Sequence, residues 1–514
     1  MNISDGLLSR GEALALRLGM LFESEGYSRY RMNKFEDYDL YARNREFLDP
    51  GQVITFTDVS GRLVAMKPDV TLSVIKDLGD TAPGEARRVR YDENVFREDR
   101  AAGCFREIKQ VGAECFGDIT EDDVISVIRL AGESMKLISC RSVIAVSSLE
   151  LIANAAHAAG VRESDLGRVI KAMEKTDVGA LRGLCGKDPS PLTRLAGLSG
   201  SPGDVLPVIR EIISEYGIDD GGFCRLVEKA GDVSPVPVSV DLSVVGNGDY
   251  YSGIVFRGMT RGVPVPCLRG GRYDLLMNKL GKRGSAVGFA VYTDTVERPV
   301  EGETEDRPLC VALPKGRLGE NVRDLFVKAG FDCPVDEKNS RRLVFDSSDG
   351  RFRFSMVKPS DVAVYVERGA ADIGVVGKDV LLEHDSDVLE LLDLGLGKCS
   401  MAVAAPKGFR DDGSGRLTVA TKFFNIAREY YASKGREIDA VQLNGSIELA
   451  PLLGLSDVIV DIVETGTTLR ENGLEVIDRF LDVSARLICG KGSRLFRGDE
   501  IDAVRDGLAA VCSR

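Results

Sequence analysis

The run Ser456-Asp-Val-Ile-Val-Asp461-Ile-Val-Glu464-Thr465-Gly466-Thr467-Thr468-Leu469-Arg470 decides the reading of the second half of this 514-residue chain. Its first eight residues are apolar and β-branched apart from Ser456, Asp457 and Asp461, and have the length of one buried strand. Two carboxylates close the strand, and a glycine among threonines turns the chain into a short helix. Gly466 allows close approach of backbone N–H groups, which with the Thr hydroxyls suit a phosphate at a helix N-terminus. Asp461 and Glu464 repel a phosphate. They suit the two hydroxyls of a ribose or a Mg²⁺ ion. An ordinary N-cap built from Thr hydroxyls is the alternative.

The same strand-turn-helix step recurs on either side. Leu309–Leu313 reads as a strand, followed by Lys315-Gly316-Arg317 and a helix over Glu320–Ala329. Two cations about a glycine at a strand end suit a pyrophosphate or triphosphate, or form a solvated basic turn. Gln442-Leu-Asn444-Gly445-Ser446-Ile-Glu448 places Asn444 and Ser446 for anion or base contacts, or makes a capping box. Lys422 follows another strand end. With strands at Ile373–Val376, Met401–Ala404 and Val458–Val463, this half is expected to be α/β with a largely parallel sheet. A helix over Asp499–Ala510 ends it.

Upstream, Val296–Pro308 (VERPVEGETEDRP) carries two prolines and five acids without apolar periodicity, and reads as a linker. The preceding half has a different character. It opens with an amphipathic helix over Gly6–Ser24. Strands are expected at Gln52–Asp58, Leu63–Met66, Arg87–Tyr91, Val236–Val245, Ile254–Phe256 and Ala286–Val291, with a largely helical stretch over Leu149–Gly231. Strand runs beside segregated helices indicate α+β with an antiparallel sheet.

A net charge of −13 excludes a large nucleic-acid footprint. Eleven cysteines without C-x-x-C exclude the usual zinc spacings and fit reduced thiols. Charged residues break the apolar N-terminus, and no run of about 18 apolar residues occurs. A cytoplasmic location is expected. The two histidines, His157 and His384, read as structural, His384 within a solvated turn Glu383-His384-Asp385.

ALPKGRL, DIGVVGKD, LTVATKFFNIAREYY, LNGSIELAPLLGL and DIVETGTTLRENGL, in that order, resemble the catalytic subunit of ATP phosphoribosyltransferase, first enzyme of histidine biosynthesis. Phe423-Phe424 departs from the family's usual Tyr-Pro. The resemblance implies two α/β lobes similar to type II periplasmic binding proteins. It implies attack of N1 of ATP on the anomeric carbon of phosphoribosyl pyrophosphate, with Mg²⁺ carried by the phosphates. Lys315, Arg317, Asp461 and Glu464 are then the catalytic candidates. Lys422, Asn444, Ser446, Thr465, Gly466, Thr467 and Thr468 are the substrate-binding ones. The segment after Gly490 leaves room only for a terminal helix, which implies the short form that depends on a separate regulatory subunit.

That subunit's relatives are resembled upstream. Met66-Lys67-Pro68-Asp69-Val-Thr71, Arg90-Tyr91-Asp-Glu-Asn-Val-Phe96-Arg97, Phe105-Arg106-Glu107-Ile-Lys-Gln110-Val-Gly112-Ala-Glu114, Asp249-Tyr250-Tyr251, Gly270-Gly271-Arg272-Tyr273-Asp274 and Ala286-Val-Gly288-Phe289 resemble the class II histidyl-tRNA synthetase core. The implied division is 1–295 regulatory, 296–307 linker and 308–514 catalytic. Gly288-Phe289-Ala290-Val-Tyr-Thr-Asp294-Thr295 lacks the family's Arg for ATP, Val245–Gly248 lacks another, and no anticodon domain follows, so no tRNA partner is expected. Asp69, Arg97, Gln110, Glu114, Tyr250 and Tyr273 are the candidate site for inhibitory histidine, and class II cores imply a homo-oligomer. An active synthetase and a non-enzymatic solute sensor are the competing readings.

Overall fold

The structure, a computed structural model, describes residues 8–44, 53–77, 81–99, 104–246, 250–297, 307–335, 342–411, 413 and 415–512. It divides into two compact units, Met1–Glu305 with Arg494–Gly498, and Asp306–Ser493 with Asp499–Arg514. Most of the expected linker, and Asp249 of the tyrosine motif, lie outside the described residues.

A nine-stranded sheet forms the first unit. Across it run Ser28–Arg29, Ala86–Asp99, Cys104–Gly117, Ser285–Tyr292, Leu268–Arg272, Ile254–Thr260, Ser142–Ser148, Val238–Asp241 and Ser199–Gly200. Only its first pair and the pair Ser142–Ser148 with Val238–Asp241 are parallel. Its second and third strands form a hairpin paired from Ala86↔Gly117 to Asp99↔Cys104. Period-two alternation sends Val111, Ala113 and Cys115 into the main core. Gln110, Gly112 and Glu114 line the opposite face. Arg87–Tyr91 is thus a fragment of a 14-residue strand. The remainder, Asp-Glu-Asn-Val-Phe-Arg-Glu-Asp, conceals the strand because its polar residues serve a wet or polar face.

Helix Arg10–Ser24 starts later than Gly6 because Ser9 caps it. Glu12 N–H donates to Ser9 Oγ and Ser9 N–H to Glu12 Oε2, a reciprocal capping box. Leu14, Leu18 and Phe22 then enter the core. The helical stretch runs from Leu149 to Val233 and includes the short strand Ser199–Gly200. Two expected strands shorten, to Thr55–Thr57 and Val238–Asp241.

The second unit holds two sheets. One has six strands in the order Val344–Asp346, Phe352–Val357, Leu309–Pro314, Ile373–Gly377, Ala485–Cys489, Leu389–Asp393. The other has five, in the order Ile438–Gln442, Leu417–Thr421, Val458–Val463, Cys399–Pro406, Leu474–Val483. The expectation of a largely parallel sheet is overturned. The six-stranded sheet has three parallel strands at its centre with antiparallel strands on both sides, and the five-stranded sheet has three parallel strands at one edge followed by two antiparallel ones. Leu474–Val483 (LEVIDRFLDV) escaped notice because an edge strand alternates with charge. The chain passes between sheets after Asp393 and again at Ser484, so the lobes share two crossings. Separate apolar cores fill each lobe.

Candidate functional site

Every loop marked as chemical in the second half leaves the C-terminal end of a parallel strand, where open α/β sheets bind ligands. After Leu309–Pro314, Gly316 begins the helix Arg317–Lys328 at φ +84, a backbone that L side chains rarely adopt. Lys315 and Arg317 flank it, both exposed. Arg317 Nη2 donates to Glu464 Oε2 at 2.9 Å, joining the turn of one sheet to a turn of the other across 147 residues of sequence.

The Glu464–Thr468 loop opens the helix Thr467–Glu471 with Gly466 at φ +72. Its N-cap residue, Gly466, has no side chain to cap it. The Thr465 and Thr467 hydroxyls lie 3.1 Å apart, and Arg470 reaches back to Thr465 O and Thr467 Oγ1 at 3.2 Å each. The threonines therefore line a left-handed turn with a guanidinium over it, and Thr465 Oγ1 also accepts from the Thr467 N–H at 3.5 Å. Asp461, half-buried, accepts from Ile462 N–H at 2.8 Å. Burial raises its carboxyl above the usual range, with Glu448 adding to the rise and Lys422 opposing it. Lys422, Glu448 and Asp461 are thus within electrostatic reach of one another.

Lys422 is exposed, its ammonium 5.1 Å from the Phe423 ring centroid. Phe423 is buried in the lobe's core, so Phe at this position fills space. The Asn444–Ser446 loop is exposed, and Ser446 takes φ +51, an uncommon strain for a residue with a side chain. Glu448 makes no cap to the four-residue helix that follows, so the capping box is absent.

Three residues were missed by sequence reasoning. Arg470 stands one turn after the threonines, within the motif itself. Asp379 opens the helix Lys378–His384, and burial raises its carboxyl while Lys422 and His384 lower it. Glu383 corrects the solvated-turn reading. It is buried and accepts from the N–H groups of Asn425 and Ile426, capping the helix Phe424–Ser433. Only His384 and Asp385 are exposed there.

The first unit gathers the other candidates on one sheet face. Glu114 is 2 % exposed. It accepts from Thr71 Oγ1 at 2.9 Å and from the Tyr273 hydroxyl. Burial pushes its carboxyl up to about 8, the Tyr273 and Thr71 hydrogen bonds pull it down, and the charge of Asp69 adds to the rise. Asp69 accepts from Leu72 N–H at 2.9 Å and from Arg97 Nη2 at 3.2 Å. Arg97 Nε is spent on Pro68 O at 2.7 Å. The Tyr250 and Tyr273 rings lie 6.0 Å apart. Gln110 is 3 % exposed and lies on the strand face of Glu114, four residues before it. Glycines keep this face low. Added Cβ atoms would lie 2.2 Å from Tyr91 Cζ at Gly112, 2.7 Å from Tyr251 Cδ1 at Gly271 and 1.7 Å from Glu114 Oε2 at Gly288. Among the described residues no group of three or more His, Cys, Asp or Glu is placed to hold a metal, and no helix is long and apolar enough to cross a membrane.

Comparison with known proteins separates the same two halves. The family profile for histidyl-tRNA synthetase matches residues 7–296, and that for ATP phosphoribosyltransferase matches 358–510. An ATP phosphoribosyltransferase from Brachyspira hyodysenteriae is 53% identical over 202 residues, 39% of this chain and 98% of the relative. The chain belongs to the ATP phosphoribosyltransferase family and, through its first half, to the histidyl-tRNA synthetase family. Its activity is pentosyl transfer in histidine biosynthesis, joining ATP and phosphoribosyl pyrophosphate into N1-(5-phosphoribosyl)-ATP and pyrophosphate.

A solved ATP phosphoribosyltransferase regulatory subunit/histidyl-tRNA synthetase from Bacillus halodurans is 22% identical, covering 68% of this chain and 89% of its own, at a TM-score of 0.50. That likeness is one of fold. The ATP phosphoribosyl transferase (HisG:HisZ) complex from Thermotoga maritima is 36% identical, covering 40% of this chain and 98% of that one, at a TM-score of 0.36. The transferase profile spans Asp379, Lys422, Asn444, Ser446 and Asp461–Arg470, whereas Lys315 and Arg317 precede it.

Proposed function

We propose that phosphoribosyl transfer takes place between the two sheets of the second unit, in a two-lobed cleft of the type II periplasmic-binding kind. The observation that carries this is the convergence of the Lys315–Arg317 turn and the Glu464–Thr468 turn, bridged by Arg317 and Glu464. Phosphates bring their own acceptors. Lys315, Arg317 and Lys422 supply cations for the pyrophosphate and triphosphate, and Mg²⁺ enters on those phosphates. The Thr465–Thr468 turn holds the 5-phosphate on its N–H groups and hydroxyls. Asp461 and Glu464 take the ribose hydroxyls, orienting the ring as positive charge develops at its anomeric carbon. Asn444 and Ser446 offer polar contacts beside them. In the free cleft Arg317 neutralises Glu464; a polyanion takes Arg317 and frees Glu464 for the sugar. Glu464→Ala is expected to lower kcat roughly 100-fold or more, and, being exposed, to leave the melting temperature unchanged. Wild-type turnover in that variant removes the ribose role.

The polar face of the first unit is proposed as the site for inhibitory histidine. Glu114 and Asp69 suit an ammonium, and Tyr250 and Tyr273 flank a ring. Arg97 and Gln110 complete the polar edge. Histidine inhibits by binding one state of the chain better than another, with reciprocal loss of substrate affinity. Arg97, engaged by Asp69 and Pro68, and Thr295, whose hydroxyl donates to Tyr292 O, favour this over adenylate chemistry and tRNA charging. A cytoplasmic homo-oligomer joined through the first unit completes the reading.

A further inference from the structure

Asp379 is a carboxylate that none of these roles employs. It is the second residue of the helix Lys378–His384, directly after the strand Ile373–Gly377. Gly377 has φ −69 and ψ 144, a conformation open to any residue. The backbone therefore gives no reason for glycine there. The carboxylate does, because a Cβ on Gly377 would lie 2.1 Å from Asp379 Oδ1. The Gly-Lys-Asp turn is shaped to leave one position for that group.

The position looks into the cleft. Lys422, from the other sheet, acts on Asp379, and Asp379 and Glu464 both act on the Cys399 thiol. Within the chain the carboxylate meets the N–H groups of Asp379 and Val380 at the start of its own helix. It is half-buried, with room to accept from a ligand.

Sorting the substrates' groups by chemistry leaves two kinds of donor for this acid, the hydroxyls of the ATP ribose and the adenine amine, and only the amine gains charge in the reaction. A carboxylate repels the phosphates. The hydroxyls of the transferred ribose go to Asp461 and Glu464 on the opposite sheet. The exocyclic amine of adenine is an N–H donor beside N1, the attacking atom. As the N1–C1 bond forms, the C1–O bond breaks and its electron pair leaves with pyrophosphate. Adenine acquires a positive charge shared between N1 and that amine, whose proton stays in place. An anion at the amine binds more strongly as this charge grows, which stabilises the transition state above the ground state. We propose that Asp379 accepts a hydrogen bond from the adenine amine and aims N1 at the anomeric carbon, an inference that rests on the cleft being the site of transfer.

The test uses the full chain with Asp379→Ala and Gly377→Ala, the second displacing the carboxylate without deleting it. Both are expected to lower kcat roughly 10- to 100-fold with the KM for phosphoribosyl pyrophosphate within about twofold of wild type. Purine ribonucleoside triphosphate, with hydrogen in place of the amine, serves as a competitive probe. Wild type should prefer ATP to it by roughly tenfold or more, and Asp379→Ala by less than about twofold. A variant that keeps the wild-type kcat, or the wild-type preference for ATP over the probe, overturns the proposal. Glu464→Ala assayed alongside separates the two readings. If that variant loses turnover while Asp379→Ala does not, the cleft stands and only the role of Asp379 falls.

Discussion

Replacing Gly288 by Ala tests the first unit's pocket with one methyl group. The added Cβ would stand 1.7 Å from Glu114 Oε2, 2.6 Å from its Cδ and 2.7 Å from Ala113 O. The carboxyl must retreat by at least about 1.3 Å to reach even the 3.0 Å that real Cβ contacts respect. Its hydrogen bonds from Thr71 and Tyr273 are then lost or badly bent. Each such bond on a buried acid is worth roughly 1–3 kcal/mol. Their loss, with the methyl occupying ligand space, predicts a histidine affinity weaker by roughly 30-fold or more. Overpacking adds a stability cost of about 1–3 kcal/mol, seen as a lower melting temperature for the first unit. The assay pairs calorimetric titration of histidine with turnover in its absence. Weakened binding with uninhibited turnover within about twofold of wild type is the expected pattern. Unchanged affinity for histidine would refute the pocket, and Glu114→Gln, which adds no volume, gives the same answer if Gly288→Ala folds poorly.

Proton release should accompany histidine binding. Glu114 is held neutral at pH 7 by its burial, since its carboxyl sits at about 8. An arriving ammonium favours the ionised form, so a proton leaves and affinity rises with pH up to about 8; titration in buffers of different ionisation heat measures it, and a proton count near zero contradicts the assignment. Because the folded value lies above the ordinary 4.5, the unfolded chain gives up this proton first. Stability is lost as pH rises from there through about 8, and Glu114→Gln should flatten that loss in thermal melts. Tyr273→Phe and Gln110→Ala should each weaken inhibition while sparing uninhibited catalysis, with unchanged inhibition in both counting against the pocket. Lys422→Met should raise the KM for the polyanionic substrates roughly tenfold or more with little change in melting temperature; an unaltered KM would place Lys422 outside the site.

The chemistry of the cleft was legible because its turns break local rules for local reasons. Gly316 and Gly466 need positive φ, and the cations and acids beside them have no apolar face to serve. What remained hidden depends on distance in sequence. Arg317 and Glu464 meet only after two sheets have formed, and nothing near either residue announces the other. Asp379 reads as an ordinary first-turn acid until Gly377 is seen to yield space to it. Glu383 reads as solvated because its donors lie in another helix, at Asn425 and Ile426. The mixed sheets were missed for a similar reason. Leu474–Val483 and Ala485–Cys489 are consecutive in the chain yet join different sheets in antiparallel register, which no periodicity within either run discloses. In the first half, the long hairpin strand was cut short because Asp92–Asp99 alternates polar groups that only the folded face explains.

The measurement that bears most directly on the whole account is pyrophosphate release by the purified full chain, given ATP, phosphoribosyl pyrophosphate and Mg²⁺, with and without histidine. Turnover that falls as histidine is added is the predicted result, and Glu464→Ala and Glu114→Gln should abolish its two components separately, turnover in the first and inhibition in the second. Turnover indifferent to histidine would contradict the regulatory role of the first unit, and histidine-dependent ATP–pyrophosphate exchange without transfer would contradict the account as a whole.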